Sequence, residues 1–191
     1  ANKNGWSKLS VPAKSTGENI AVIGAGPAGL SAAAVLLEAG HKVTIFDKNK
    51  DLGGMVDSVI PADRQSSALK NEMTAIFKDV PSERLEIESG VVLDEKCNLN
   101  NILEQNFDAV FIGMGLPKVT RSSSENLNGL YDALDFLQLA KHLDSIDLNG
   151  KTVGVIGGGN TAMDVAVTAG QKGAKDVYLI YRRSFTEMPA W

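Results

Sequence analysis

Short apolar runs alternate along this chain with longer stretches whose apolar residues recur at helical spacing, and glycines stand at the joints. Asn19–Ile23 is a run of strand length, residues 27–39 are Ala/Leu-rich through several helical turns with Gly40 to end them, and residues 42–46 are again apolar and β-branched. This pattern predicts a βαβ unit. The middle is less regular: Gly53-Gly54 makes a turn, 66–77 has helical character, and 84–93 alternates like a two-sided strand or a hairpin. Residues 107–113 (FDAVFIG) predict a buried-type parallel strand ending in glycine, and 130–143 a helix, with a surface loop at Ser122–Ser124 between them. A second βαβ pattern follows, with strands over 152–156 and 176–181 and a helix over 160–171 closed by Gly173. The predicted fold class is α/β, with Rossmann-like parallel sheets covered by helices on both faces.

The polar segment 1–18, with Gly5, Pro12 and Gly17, is expected to be a lead-in or linker with little structure of its own. The expected domains are then 19–145 and 146–191.

Composition narrows the chemistry. Hydrophobic residues make up 43% of the 191, enough for a core, and the formal net charge of −4 disfavours nucleic acid and anionic membranes as partners. The apolar stretch 21–40 is long enough for a membrane span, but it carries Gly24, Gly26, Pro27, Gly29 and Glu38 where a strand must turn into a helix. Cys97 is the one cysteine, so this sequence holds neither a thiol pair nor a four-cysteine cluster, and the cytosol is the default compartment.

The chemistry-bearing segment is Gly24-Ala-Gly26-Pro27-Ala28-Gly29, after a strand and at the start of a helix. In such a turn the first glycine permits the bend, the second lets the backbone approach a pyrophosphate and the third lets the helix pack on the strand. The phosphates meet the helix N-terminus, where backbone N–H groups and the macrodipole favour anions. Asp47 stands at the end of the next strand, where a ribose hydroxyl would be held. A second fingerprint, Gly157-Gly-Gly159-Asn160-Thr161-Ala162, repeats the arrangement. Its following strand ends in Tyr181-Arg182-Arg183, and arginines in place of an acid suit a 2′-phosphate, favouring NADP over NAD. Two fingerprints suggest two dinucleotides, and a flavin and a nicotinamide exchange hydride directly, needing orientation from the protein more than an acid, base or nucleophile.

Other residues read as structural. Gly150-Lys151-Thr152 lacks a P-loop's earlier glycine, Ser145 standing there, and precedes its strand. His41 and His142 fit capping or surface roles, Cys97 is unpartnered, and Asp164 is a first-turn acid complementing a helix dipole. Glu187 stands either near a cofactor or on the surface.

The segments VIGAGPAGLSAA (22–33), VTIFDK (43–48), LGG (52–54), IPADR (60–64), FDAVFIGMGLP (107–117), ALDFL (133–137), VIGGGNTAMDVA (155–166) and YRRSFTEMPA (181–190) resemble the glutamate synthase small subunit family and the related flavin half of dihydropyrimidine dehydrogenase. The resemblance implies an FAD-binding unit followed by the start of an inserted NADPH-binding unit. It further implies hydride transfer from NADPH to FAD and electrons passed on to iron–sulfur centres or a partner subunit. It assigns Gly24, Gly26, Pro27, Ala28, Gly29, Asp47, Gly54, Arg64 and Gly113 to FAD, and Gly157, Gly159, Asn160, Thr161, Arg182 and Arg183 to NADP(H). Asp47 replaces the family's usual Glu, and the IPxFRLP segment reads IPADRQSS. Two readings stand beside it: an electron-input module for a pyrimidine-reducing partner, and a nucleotide-binding fragment with no turnover alone. The missing initiator methionine and the two half-built units make the length read as a cut.

Overall fold

A computed structural model describes residues 8–65, 69–93, 98–116, 127–142 and 146–190. The expected Ser122–Ser124 loop, Cys97, Ser145, and residues 66–68 and 143 of two expected helices lie outside them. The described residues fall into two compact units, one drawn from 1–57 and 66–117, the other from 58–65 and 118–191.

In the first unit β1 (Asn19–Ile23), α1 (Pro27–Glu38) and β2 (Lys42–Asp47) form the expected βαβ. The two strands pair in parallel, Asn19 opposite Lys42 and Ile23 opposite Phe46. After α2 (Met55–Ser58) come α3 (Leu69–Ala75), β3 (Leu85–Ser89), α4 (Leu99–Leu103) and β4 (Ala109–Ile112). The sheet has the order β3-β2-β1-β4 and every pairing is parallel. This is the Rossmann-like arrangement, in which the strand order reverses beside β1 and opens a crevice at the carboxyl ends of β1 and β4.

Strand alternation divides the core. Val22, Val43 and Ile45 pack with Leu30, Ala33 and Leu37 of α1 and with Phe77. Ala21, Ile23 and Phe46 pack on the other side with Ile102 of α4, where the Phe46 and Phe107 rings meet edge to face at 5.8 Å. Each fully buried Leu or Ile contributes about 1.5–3 kcal/mol, so burial on both faces, more than helix propensity, holds this unit.

One open alternative is decided and two expectations change. Residues 84–93 hold one parallel strand and no hairpin, because the buried Arg84 donates to the Gly40 and His41 carbonyls and ties the start of β3 to the α1–β2 turn. β4 is shorter than 107–113 and lies at a sheet edge, so Phe111 and Ile112 are exposed rather than buried. Residues 8–18 form no helix or strand, yet Leu9 and Val11 pack on the core and the Thr16 N–H donates to the Gly40 carbonyl at 3.0 Å. His41 belongs to the same junction, its Nδ1 2.8 Å from Thr16 Oγ1 and 3.2 Å from the Glu18 carboxylate.

The second unit contains α5 (Ala133–His142), β5 (Thr152–Ile156), α6 (Asn160–Gln171) and β6 (Asp176–Ile180). β5 and β6 pair in parallel, Thr152 opposite Asp176. Phe136 and Leu137 of α5 pack with Val155, Ala162, Val165 and Ala169, so α5 goes with the later elements and the compact units divide elsewhere than at 145. Both helices lie on the face carrying Val153, Val155, Val177 and Leu179, while Ile156, Tyr178 and Ile180 point the other way and are exposed. Helices on both faces therefore hold for the first sheet but not, among the described residues, for the second.

An early segment of the chain also belongs here. Within residues 58–65 Val59 joins the core, the Ile60 carbonyl accepts from Lys141 Nζ at 2.8 Å, and Asp63 accepts from Gln171 Nε2 at 3.0 Å. Arg64, ending the 3₁₀ turn Ala62–Arg64, pairs with Asp164 of α6. The first turn of α6 holds no acidic residue, so Asp164 is not the expected first-turn acid complementing the dipole but an ion-pair partner one turn further in. Among the described residues no helix is long and apolar enough to cross a membrane.

Candidate functional site

In the first unit the glycines divide by what their missing Cβ would strike. Gly24 has φ +103°, a left-handed conformation suited to glycine, and a Cβ there would lie 2.5 Å from the Gly113 carbonyl oxygen. Its N–H extends the ladder to the Phe46 carbonyl at 2.7 Å, and the Gly113 N–H does the same to Ile23 at 2.7 Å. At Gly29 a Cβ would meet the Gly24 carbonyl oxygen at 1.7 Å, so α1 crosses the loop with no room for a side chain. At Gly26 it would meet only the Gly54 Cα, at 4.0 Å. That open space lies at the N-cap of α1, where no side chain caps the helix and Pro27 and Ala28 are exposed in the first turn. The geometry is a cradle from which one added carbon would exclude a closely approaching group.

Two contacts brace the cradle. The Gly53 N–H donates to the Ala25 carbonyl at 2.8 Å, and the backbone at Gly54 comes so near that a Cβ there would lie 2.9 Å from the Gly26 Cα. The Asp47 carboxylate, buried at the end of β2, accepts from the Ala25 N–H at 2.6 Å on Oδ2 and from the Asn49 N–H at 2.7 Å on Oδ1. Each oxygen keeps a further lone pair for a hydroxyl donor. The bond to the glycine loop itself was invisible in the sequence.

The second unit repeats the cradle. The Gly157 N–H donates to the Ile180 carbonyl at 2.9 Å, and a Cβ on Gly157 would press on that of Ala162 at 3.3 Å. Gly159 caps α6 with nothing within 4 Å of its Cβ position, no side chain caps the helix, and Asn160 and Thr161 are exposed in its first turn. Arg182 and Arg183 follow β6 at an exposed bend, without an ion pair among the described residues. Two residues missed in the sequence matter here: Gly158, where a Cβ would lie 2.8 Å from the Tyr181 ring, and Tyr181 itself. Glu187 belongs to a surface turn, where the Ser184 hydroxyl and then the Ser184 N–H hold its carboxyl below the usual carboxylate value.

The sequence pattern of the pyridine nucleotide-disulphide oxidoreductases matches residues 18–189. The chain belongs to that family. Among curated relatives of this oxidoreductase chain, the glutamate synthase [NADPH] small chain of Escherichia coli K12 is 37% identical over 205 aligned positions, covering 97% of this chain and 41% of that protein. The NADP(+)-dependent formate dehydrogenase subunit beta of Moorella thermoacetica is 40% identical over 185 positions, 93% of this chain and 25% of that protein. The chain thus spans 41% of the length of the first of these relatives and 25% of the second. Among solved structures, the 6-hydroxypseudooxynicotine amine oxidase of Pseudomonas geniculata N1 superposes with a TM-score of 0.67 at 23% identity, over 91% of this chain and 26% of that one. This likeness bears on the fold of the oxidoreductase chain, which it shares.

Proposed function

We propose that the chain is the nucleotide-binding part of an NADPH oxidoreductase of the glutamate synthase small-chain type, holding FAD at Gly24–Gly29 and NADPH at Gly157–Ala162. The observation that carries this reading is the pair of open cradles at Gly26 and Gly159, each at an uncapped helix N-terminus beside glycines that admit no side chain. The groups supply hydride donation by the nicotinamide and two-electron acceptance by the flavin. The chain's residues bind and orient. Gly26, Pro27, Ala28 and the first turn of α1 face the FAD pyrophosphate, Gly54 and Gly113 keep the loop in shape, and Asp47 offers its remaining lone pairs to the ribose. Arg64 is assigned to FAD on the resemblance. Gly159, Asn160 and Thr161 take the NADPH pyrophosphate, and Arg182 and Arg183 its 2′-phosphate.

The relatives' names attach such a chain to glutamate synthase and to formate dehydrogenase. The reading therefore extends to electron delivery into a partner subunit, through iron–sulfur centres that this chain, with one cysteine, does not build from its own thiolates. The test is spectroscopic. Protein dialysed against FAD should keep a flavin absorption band that NADPH bleaches under anaerobic conditions and NADH bleaches far more weakly. A protein that stays colourless, or a band untouched by NADPH, overturns the reading and leaves a nucleotide-binding piece without turnover.

A further inference from the structure

The residues on either side of the arginine pair are tied to one another through Glu187. Before the pair, the Tyr181 hydroxyl reaches the Glu187 carbonyl oxygen in a long contact of 3.4 Å. After it, Ser184 gives its hydroxyl at 2.7 Å and its N–H at 3.1 Å to Glu187 Oε2. The Glu187 N–H returns to the Ser184 carbonyl at 3.1 Å. The bend is thus closed into a small ring from which Arg182 and Arg183 stand exposed. That ring is fixed to the second glycine loop at two points: the Tyr181 ring fills the space over Gly158, and the Ala190 N–H donates to the Gly158 carbonyl at 3.1 Å.

We propose that Glu187 is a positioning residue for the arginine pair, holding residues 181–187 in the shape in which Arg182 and Arg183 meet a 2′-phosphate. It thereby helps to set the preference for a 2′-phosphorylated nucleotide, and the inference rests on the proposed NADPH reading of the second loop. Guanidinium–phosphate bonding is bidentate and directional, so its strength depends on where the backbone carries the two side chains. Simple charge counting gives the opposite sign, because a carboxylate beside two arginines repels an incoming phosphate and its removal would tighten binding. The hydrogen bonds choose between the two: Oε2 is engaged by Ser184 twice, the carbonyl by Tyr181, and neither arginine pairs with Glu187 among the described residues.

The full chain, the Glu187→Ala and Glu187→Gln variants, and the Arg182→Ala/Arg183→Ala double variant should be titrated calorimetrically with adenosine 2′,5′-bisphosphate and with 5′-AMP. Glu187→Ala is expected to bind the bisphosphate about tenfold more weakly, the size of a lost charged hydrogen bond, with AMP binding unchanged. Glu187→Gln, whose amide oxygen still accepts from Ser184, should recover most of the affinity. If Glu187→Ala binds the bisphosphate as tightly as the parent or more tightly, or loses both ligands equally, the positioning role is overturned. If the double arginine variant keeps the parent's preference for the bisphosphate, the NADPH reading itself falls, and the positioning role with it.

Discussion

An alanine at position 29 would set its Cβ 1.7 Å from the Gly24 carbonyl oxygen, and α1 would have to move off the loop to admit it. An alanine at position 26, where φ is −76°, would touch nothing closer than 4.0 Å. Gly29→Ala should therefore lower stability by about 1–3 kcal/mol or more in denaturant unfolding. Gly26→Ala should change stability by about 0.5 kcal/mol or less, yet weaken FAD binding roughly 10- to 100-fold through a crowded pyrophosphate. Equal losses of stability in the two variants would contradict this division. The spacing of the three glycines is legible in the sequence because each role has a fixed place in the turn. The bracing by Asp47 and Glu187 is not, since neither side chain's hydrogen-bond partners leave a periodic mark. For Glu187 the sign of the pH effect follows from its lowered pKa. A carboxyl whose folded pKa is lowered stabilises the fold above its unfolded pKa, and that contribution is lost as the pH falls through the lowered value. The Ser184–Glu187 turn should thus hold at neutral pH and open in acid. An NMR titration of the Glu187 side chain should show a midpoint below that of an unstructured peptide, and a peptide-like midpoint would refute it.

At the scale of elements, strands and helices with strong periodicity stood out, and those defined by tertiary contact did not. β3 alternates like a hairpin arm in sequence, and it is Arg84 reaching back to the α1–β2 turn that makes it a parallel strand. α5 falls within the expected first domain, 19–145, yet its Phe136 and Leu137 are buried with β5 and α6. The strap at 58–65 is the extreme case, because Arg64 and Asp164 are 100 positions apart and no local pattern announces their pairing. Its attachments make a prediction. Asp164→Ala combined with Gln171→Ala removes the partners of Arg64 and Asp63 and should speed amide hydrogen exchange at residues 62–65 by roughly 3- to 30-fold, leaving α1 unchanged. Unchanged exchange at 62–65 would mean that the other attachments, Val59 and the Lys141–Ile60 bond among them, hold the strap.

Over the whole molecule, a ligand held by the second unit protects whatever belongs to that unit, wherever it stands in the sequence. Adenosine 2′,5′-bisphosphate at about 100 times its Kd should stabilise the bound form by about 2.7 kcal/mol. The protection, read by hydrogen exchange, should reach α5, α6, β5, β6 and residues 58–65 together, and Gly26→Ala should not diminish it. Protection confined to residues after 146 would show that the strap and α5 are not part of that cooperative unit.

Because the chain leaves the first unit for the strap and returns to it afterwards, no single cut in the chain yields two intact pieces. A product ending at residue 117 keeps Val59 but loses the apolar core that receives it, and a product starting at 118 keeps Asp164 but loses Arg64. Dissecting the protein by cloning therefore calls for replacing 58–65 with a short polar linker in the first piece and supplying those eight residues, as a fused or added peptide, to the second.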